Sequence, residues 1–308
     1  MSITQRSAFI TGCSSPRGIA AQVAAALASK GYLVFASAKT SESLGHLQGK
    51  CEASFWLPMV LDVTDEKNIA QVVKSVSERT GGRLDVLVDT AGIDTLCPLL
   101  DTSLPALRGV LETNTIGPLA LIQGFAPLLV KAANEPVPGT NQVRQSVIVN
   151  MGSLSKAGFT WKGGYSMSKA ALECMTEVLR SEMKPLGVQV INCHIGTVNT
   201  DMYFNQKIFD TKSPNPTPYY PNFSTIADNM TKDSQKAESI IMKADTAGQD
   251  IAKVIDKVHP PGFIRAGSYG ALFDWAAAIF DFIGLKNWFW GRQFYTHLVP
   301  KPDPKKSV

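Results

Sequence analysis

Tyr165 and Lys169 stand four residues apart in the run Tyr165-Ser166-Met167-Ser168-Lys169, within a strongly helical stretch. That spacing is just over one helical turn, so both side chains project from one face. An ammonium beside a phenol favours the phenolate, and the pair is expected to lower the tyrosine pKa towards neutrality. The chemistry this points to is proton transfer by a tyrosine.

A second group of residues suits an anion. Residues 7–11 form a short apolar strand, and Gly12, Cys13, Ser14, Ser15, Pro16, Arg17, Gly18, Ile19 and Ala20 follow at once. An alanine-rich helix then runs to about Lys30 and stops at Gly31. Strand, glycine turn and helix N-terminus together present free backbone N–H groups and the positive end of a helix dipole. The strand at 32–36 ends in Ser37-Ala38-Lys39, where a dinucleotide fold that selects NAD carries an acidic residue. Here the nearby charges are Lys39 and Arg17. Two cations and no carboxylate suit a ribose 2′-phosphate, so the expected cofactor is NADP(H).

The elements that must position these groups alternate. Strands are expected at 7–11, 32–36, 55–61, 84–88, 146–150 and 188–193, with a last one at 263–270. Helices are expected to about residue 30, at 65–79, 103–111 and 114–133, from Tyr165 to about 184, and at 246–258. Such alternation implies an α/β fold with a Rossmann-type, doubly wound parallel sheet. In that fold ligands bind at the carboxyl ends of the strands. The turn at 12–19 falls there, as do Lys39, Asp62, Val63, Ala91, Gly92, Ser153 and the segment Gly196-Thr197-Val198-Asn199-Thr200.

Composition excludes several other classes. With 308 residues, 44% of them hydrophobic, and a net charge of +4, the chain is too mildly basic to argue for nucleic acid. Its five cysteines are scattered without a CxxC pair, and no signal peptide is evident, which reads as a reducing, cytoplasmic setting. The four histidines lack metal-ligand spacing, so no metal site is expected. No run of eighteen uncharged apolar residues exists, which argues against a spanning helix.

By these residues the chain resembles the short-chain dehydrogenase/reductase family over roughly residues 5–202. Thr11-Gly12 through Gly18-Ile19 looks like the family's TGxxxGxG turn, Asp62-Val63 like its adenine-contacting pair, and the run from Asp89 to Gly92 like its NNAG segment. Asn114, Ser153, Tyr165 and Lys169 match its catalytic asparagine, serine, tyrosine and lysine in order and spacing. The resemblance implies that Tyr165 exchanges a proton with a carbonyl oxygen and that Ser153 hydrogen-bonds the same oxygen. It further implies that Lys169 lowers the tyrosine pKa and grips the nicotinamide ribose, and that Asn114 holds a water relaying protons by way of the lysine. Gly12, Ser14, Ser15, Arg17, Gly18, Ile19, Lys39, Asp62, Val63, Ala91, Gly92, Tyr165, Lys169, Gly196, Val198 and Thr200 are expected to bind the cofactor.

The departures are specific. Pro16-Arg17 lengthens the glycine turn, Ala20 replaces its last glycine, Asp89-Thr90 replaces an asparagine pair, and Ile195 replaces a proline. Residues 1–270 are expected as one catalytic domain, with 201–244 a long polar, proline-interrupted loop that covers the substrate. Residues 271–308 form an extension carrying Trp275, Phe280, Phe282, Trp288, Phe289, Trp290, Phe294 and Tyr295. This tail is expected to pack on its own domain. A membrane surface and another subunit of a homo-oligomer are the alternatives. The stretch near Ile10 to Ser15 and the long C-terminal part resemble fungal acyl-dihydroxyacetone-phosphate reductase-like members, which keeps a lipid substrate in view. The expected activity is NADPH-dependent reduction of a ketone on a fairly large apolar small molecule, lipid or secondary metabolite. Reduction of an imine, a redox-neutral cyclisation, and a non-catalytic NADP(H)-binding interaction protein are the rivals.

Overall fold

Period-two alternation decides how the sheet is covered. In the computed structural model, which describes residues 5–47, 56–204, 219–268, 285 and 292–300, the central strands are buried on both faces. Along β1 (Ser7–Ile10), Ala8 and Ile10 enter one core and Phe9 the other. The same division holds in β2 (Leu33–Ala38), where Val34 and Ala36 oppose Leu33 and Phe35. β3 (Trp56–Val60), β4 (Val86–Asp89), β5 (Ser146–Ser153) and β6 (Val188–Ile195) follow in chain order. β7 (Val198–Asn199) and β8 (Met242–Lys243) form a small separate ladder, and β9 (Phe263–Ala266) returns to the main sheet. Among the described residues the main sheet is parallel with order β3-β2-β1-β4-β5-β6-β9. Pro58 is tolerated in β3 because that strand is the edge and pairs with β2 alone.

Helix α1 (Ile19–Ser29) covers one face through Val23, Ala24 and Leu27. α2 (Glu66–Thr80) covers the other through Ile69, Val72 and Val76; Asp65 caps its start and Gly81, in the left-handed region, ends it. α3 (Leu104–Leu111) is capped by Ser103. The two helices expected at 103–111 and 114–133 are one run. A π turn at Glu112–Ile116, with Gly117 N–H bonded to the Glu112 carbonyl, joins α3 to α4 (Gly117–Asn134). By length and composition alone, Leu104–Asn134 is apolar enough to cross a membrane. A search for an unbroken apolar run misses it, because Thr113, Asn114, Thr115 and Gln123 fall among the eighteen uncharged residues between Glu112 and Lys131. Its apolar residues Leu121, Ile122, Phe125 and Leu129 are buried against the sheet, which accounts for the composition. α5 (Gly163–Met183) lies beside it and carries Tyr165 and Lys169.

The expected loop at 201–244 holds regular structure in its described parts. α6 (Asp201–Phe204) follows β7, and α7 (Phe223–Ala237) is a four-turn helix. The proline-rich stretch that suggested a loop falls at 205–218, outside the described residues. α8 (Ala244–Ile255) then packs Ile251, Ala252 and Ile255 on the same core as α1. The aromatic tail is described at 292–300, where it folds onto α7 and the loop before α5. Trp161 Nε1 donates to the Phe294 carbonyl at 2.6 Å, the Phe159 and Phe294 rings lie 5.3 Å apart, and Tyr295 hydroxyl bonds Asp233. Trp275, Phe280, Phe282, Trp288, Phe289, Trp290 and the proposed boundary at 270/271 lie outside the described residues.

Candidate active site

The carboxyl ends of β1, β4, β5 and β6 open into a cleft of about 640 Å³. Its floor is drawn together by Thr11. The Thr11 hydroxyl donates to Asp89 Oδ1 at 2.8 Å and accepts the Thr90 and Ala91 N–H groups, each at 2.9 Å. Gly12 turns the chain at φ +80°, and a Cβ there would lie 2.9 Å from the Ala91 nitrogen. No larger residue fits that approach. α1 then begins behind Gly18, and no side chain caps it, so its first N–H groups are free for an anion. Gly12, Ser14, Ser15, Gly18 and Ile19 line the cleft as expected. An uncapped helix start flanked by two serines fits a pyrophosphate.

The two cations separate. Lys39, 74% exposed, stands at the cleft wall with its Nζ 2.7 Å from Asp62 Oδ2. Burial raises the Asp62 pKa, but the Lys39 ammonium and the Thr64 N–H and hydroxyl outweigh it and hold the carboxyl below the usual range. Arg17 turns the other way: its guanidinium bonds Asn199 Oδ1 and pairs with Asp201 and Glu238. It does not line the cleft. The expectation that Arg17 faces a 2′-phosphate is therefore corrected. The lengthened turn carries the Arg17 side chain to the carboxylates that follow β7 and end α7. Ser15 hydroxyl bonds Asp201 as well, which ties the glycine turn to that segment.

At the other end of the cleft, Ser153, Tyr165 and Lys169 converge. Ser153 closes β5, accepts the Ser155 N–H at 3.2 Å and shares a 2.7 Å hydrogen bond with the Ser155 hydroxyl. Lys169 lies one turn beyond Tyr165 with Nζ 5.7 Å from the tyrosine ring centre, and donates to the Met151 carbonyl at 2.8 Å. Burial lowers its pKa to about 8, against the opposing pull of Asp89 and Asp94. Burial also pushes the Tyr165 phenol up, Asp94 adds to the rise, and the nearby Ser153 hydroxyl only partly opposes it. The expected drop towards neutrality is thus reversed. The phenol is desolvated beside a carboxylate, and the buried lysine is itself losing hold of its proton.

Asn114 sits in the π turn with no exposed surface and is not part of the cleft wall. Its Oδ1 accepts the Ile93 N–H at 2.9 Å, and its Nδ2 donates to the Ile93 carbonyl and the Ser168 hydroxyl, both at 2.9 Å. This side chain fixes the Gly92-Ile93 strand exit and the Tyr165 helix. Gly92 passes over it so closely that a Cβ would come 3.2 Å from Asn114 Oδ1. Asp62, Val63, Ala91, Gly92, Gly196, Val198 and Thr200 all line the cleft. Ile195 is paired with both Ser153 and Ala266, so β6 runs on through the position where a proline would have lost its N–H.

Sequence reasoning missed Asp94 and Lys162, which line the cleft beside Tyr165 as an ion pair at 2.5 Å. The signal that could have found them is a lysine at the start of a helix, where a serine or aspartate is usual. Among the described residues no group of three metal-ligating side chains occurs.

The profile of the short chain dehydrogenase family matches residues 6–210. Short-chain dehydrogenase cctT of Talaromyces islandicus is 32% identical over 305 residues, covering 98% of this chain and 97% of its own. The structure of a short-chain dehydrogenase from Streptomyces avermitilis has the same fold, with a TM-score of 0.72 at 23% identity over 94% of this chain and 97% of that one. NADPH-bound carbonyl reductase from chicken fatty liver is 30% identical with a TM-score of 0.56, covering 65% of this chain and 82% of that one. With its parallel sheet, its glycine turn and its Ser153–Tyr165–Lys169 cluster, the chain belongs to the short-chain dehydrogenase/reductase family of oxidoreductases.

Proposed function

We propose that the protein reduces a ketone on a fairly large apolar molecule, a lipid or secondary metabolite, with NADPH as reductant. The observation that carries this is the state of Tyr165. A phenol pushed up by burial and by the Asp94 carboxylate stays protonated at neutral pH, and the protonated form gives a proton to a carbonyl oxygen. Ser153 hydroxyl polarises that oxygen. Lys169, near its own pKa at about 8, returns a proton towards Tyr165 after turnover. The family resemblance would give Asn114 the water in that relay.

The cofactor would lie from the α1 N-terminus to Lys169. Gly12, Ser14, Ser15, Gly18 and Ile19 would meet its pyrophosphate, and Asp62 and Val63 its adenine end. Lys39 would meet a 2′-phosphate, and Ala91, Gly92, Gly196, Val198 and Thr200 its nicotinamide half. When bound, it supplies the hydride for reduction. NADPH over NADH rests on Lys39 at the end of β2 and on the 30%-identical carbonyl reductase, which carries NADPH. The apolar substrate rests on Ile93, Leu154, Phe159 and Met202 in the cleft wall and on the aromatic cluster of Trp161, Tyr220, Phe223 and Phe294 behind it. A second copy would meet the exposed Ile116, Met167 and Val178, and the free Cys13, Cys97, Cys174 and Cys193 among the described residues suit a reducing cytoplasm. The test is NADPH consumption with a panel of ketones, with product mass two hydrogens above substrate.

A further inference from the structure

Three features around Lys162 run against local stability and share one place. Lys162 is the N-cap of α5 and makes no capping hydrogen bond there. An N-cap favours serine, threonine, asparagine or aspartate, and a cation at the positive end of a helix dipole is unfavourable. The residue before it, Trp161, holds φ +68°, a left-handed conformation that a bulky side chain rarely adopts. The strained turn is clamped: Cys97 N–H bonds the Trp161 carbonyl at 2.8 Å, and Lys162 N–H bonds the Phe159 carbonyl at 3.1 Å. Finally, the ammonium is 13% exposed and paired with Asp94, 11% exposed, in an apolar wall of the cleft. Removing two charges from water costs more than a surface pair returns, so such a pair is weak evidence for stability. Rules broken together at one spot in a cleft mark function.

The pair sits where substrate meets the acid. Lys162 Nζ is 6.0 Å from the Tyr165 ring centre, and the Asp94 charge is felt by both Tyr165 and Lys169. Asp94 Oδ1 accepts the Thr95 N–H at 2.8 Å while Oδ2 holds Lys162, so the carboxylate is fixed from two sides. The pair is neutral overall. A substrate carboxylate would have to displace Asp94, and an amine would have to displace Lys162. A hydroxyl needs neither, because it can donate to Asp94 and accept from Lys162 at once.

We propose that Asp94 and Lys162 form a specificity clamp for a hydroxyl group borne close to the reacting carbonyl, so that the substrate is a hydroxy ketone, aliphatic or phenolic. The proposal rests on the reading of Tyr165 as the group that meets the carbonyl oxygen. It is tested with two matched pairs: ortho-hydroxyacetophenone against acetophenone, and diacetone alcohol against methyl isobutyl ketone. The wild type is expected to favour the hydroxylated member of at least one pair by about tenfold or more in kcat/KM. Lys162→Met and Asp94→Asn should bring that ratio close to one, chiefly through a raised KM for the hydroxylated member, while Lys162→Arg retains most of it. The ratio is independent of how much protein is folded, so a purely structural ion pair would lower both members alike. That equal loss, or a wild-type ratio near one in both pairs, overturns the clamp. Failure to reduce either hydroxylated ketone while others are reduced overturns it too. Failure with every carbonyl tried overturns the reductase reading, and this proposal with it.

Discussion

The Asp89 carboxylate holds up the ammonium of Lys169 from beneath the cleft floor. Asp89 ends β4, is almost wholly buried, accepts one hydrogen bond from Thr11, and opposes the burial that lowers Lys169. Lys169 loses its proton as pH rises through about 8, so kcat/KM is expected to fall on that side of the profile. Asp89→Asn removes the supporting charge. Its alkaline limb should move to lower pH, and an unmoved limb would separate Asp89 from the site.

The same carboxyl is linked to stability with the opposite demand. Burial raises its pKa to about 6, against the Thr11 bond and Lys169, so the folded state binds a proton that the unfolded chain has released. Its contribution is fully present below the unfolded carboxylate pKa and is lost as pH rises through about 6. Urea unfolding of Asp89→Asn should lack the fall between about pH 4 and 6, with a gain at neutral pH on the order of 2–3 kcal/mol. A variant less stable than wild type at neutral pH would contradict this.

Cofactor preference should follow Lys39 alone. Lys39→Asp is expected to lower the NADPH-to-NADH ratio of kcat/KM by about tenfold or more, since a fixed cation is exchanged for repulsion. Arg17→Ala, which breaks pairs to Asp201 and Glu238, should leave that ratio in place. A shift with Arg17→Ala and none with Lys39→Asp would reverse the assignment.

Asn114→Ala should act on the fold before the chemistry. It strips hydrogen bonds from the Ile93 N–H and carbonyl and from Ser168, in a position with no exposed surface. Unfolding measurements should show a loss of about 2–4 kcal/mol, and stability equal to wild type would contradict the bonding described.

Much of this arrangement was legible in the residues. Apolar runs broken by glycine turns located the sheet strands to within a few residues, and the glycine turn, Ser153, Tyr165 and Lys169 do meet in one cleft. What was not legible depends on long-range direction. Spacing puts Lys169 beside Tyr165 but does not reveal Asp94, 71 positions before Tyr165 in the chain, whose charge helps hold the phenol protonated. A cation in the glycine turn suggests a phosphate, whereas carboxylates arriving from beyond β6 take Arg17 instead. Asn114 matched a motif, but only the π turn shows its amide facing Ile93 rather than solvent. The prolines after Thr200 masked the helical pattern of Phe223–Ala237, which is amphipathic and buries Ile226 and Ala227.

The central claim is that Tyr165 donates the proton in an NADPH-dependent ketone reduction. Turnover of a ketone should be measured for wild type and Tyr165→Phe, with NADPH binding by both followed in a calorimetric titration. The account predicts binding by both proteins and a loss of kcat of at least about 10²-fold in the variant, the scale of a general acid. Wild-type turnover that Tyr165→Phe leaves unchanged would contradict it.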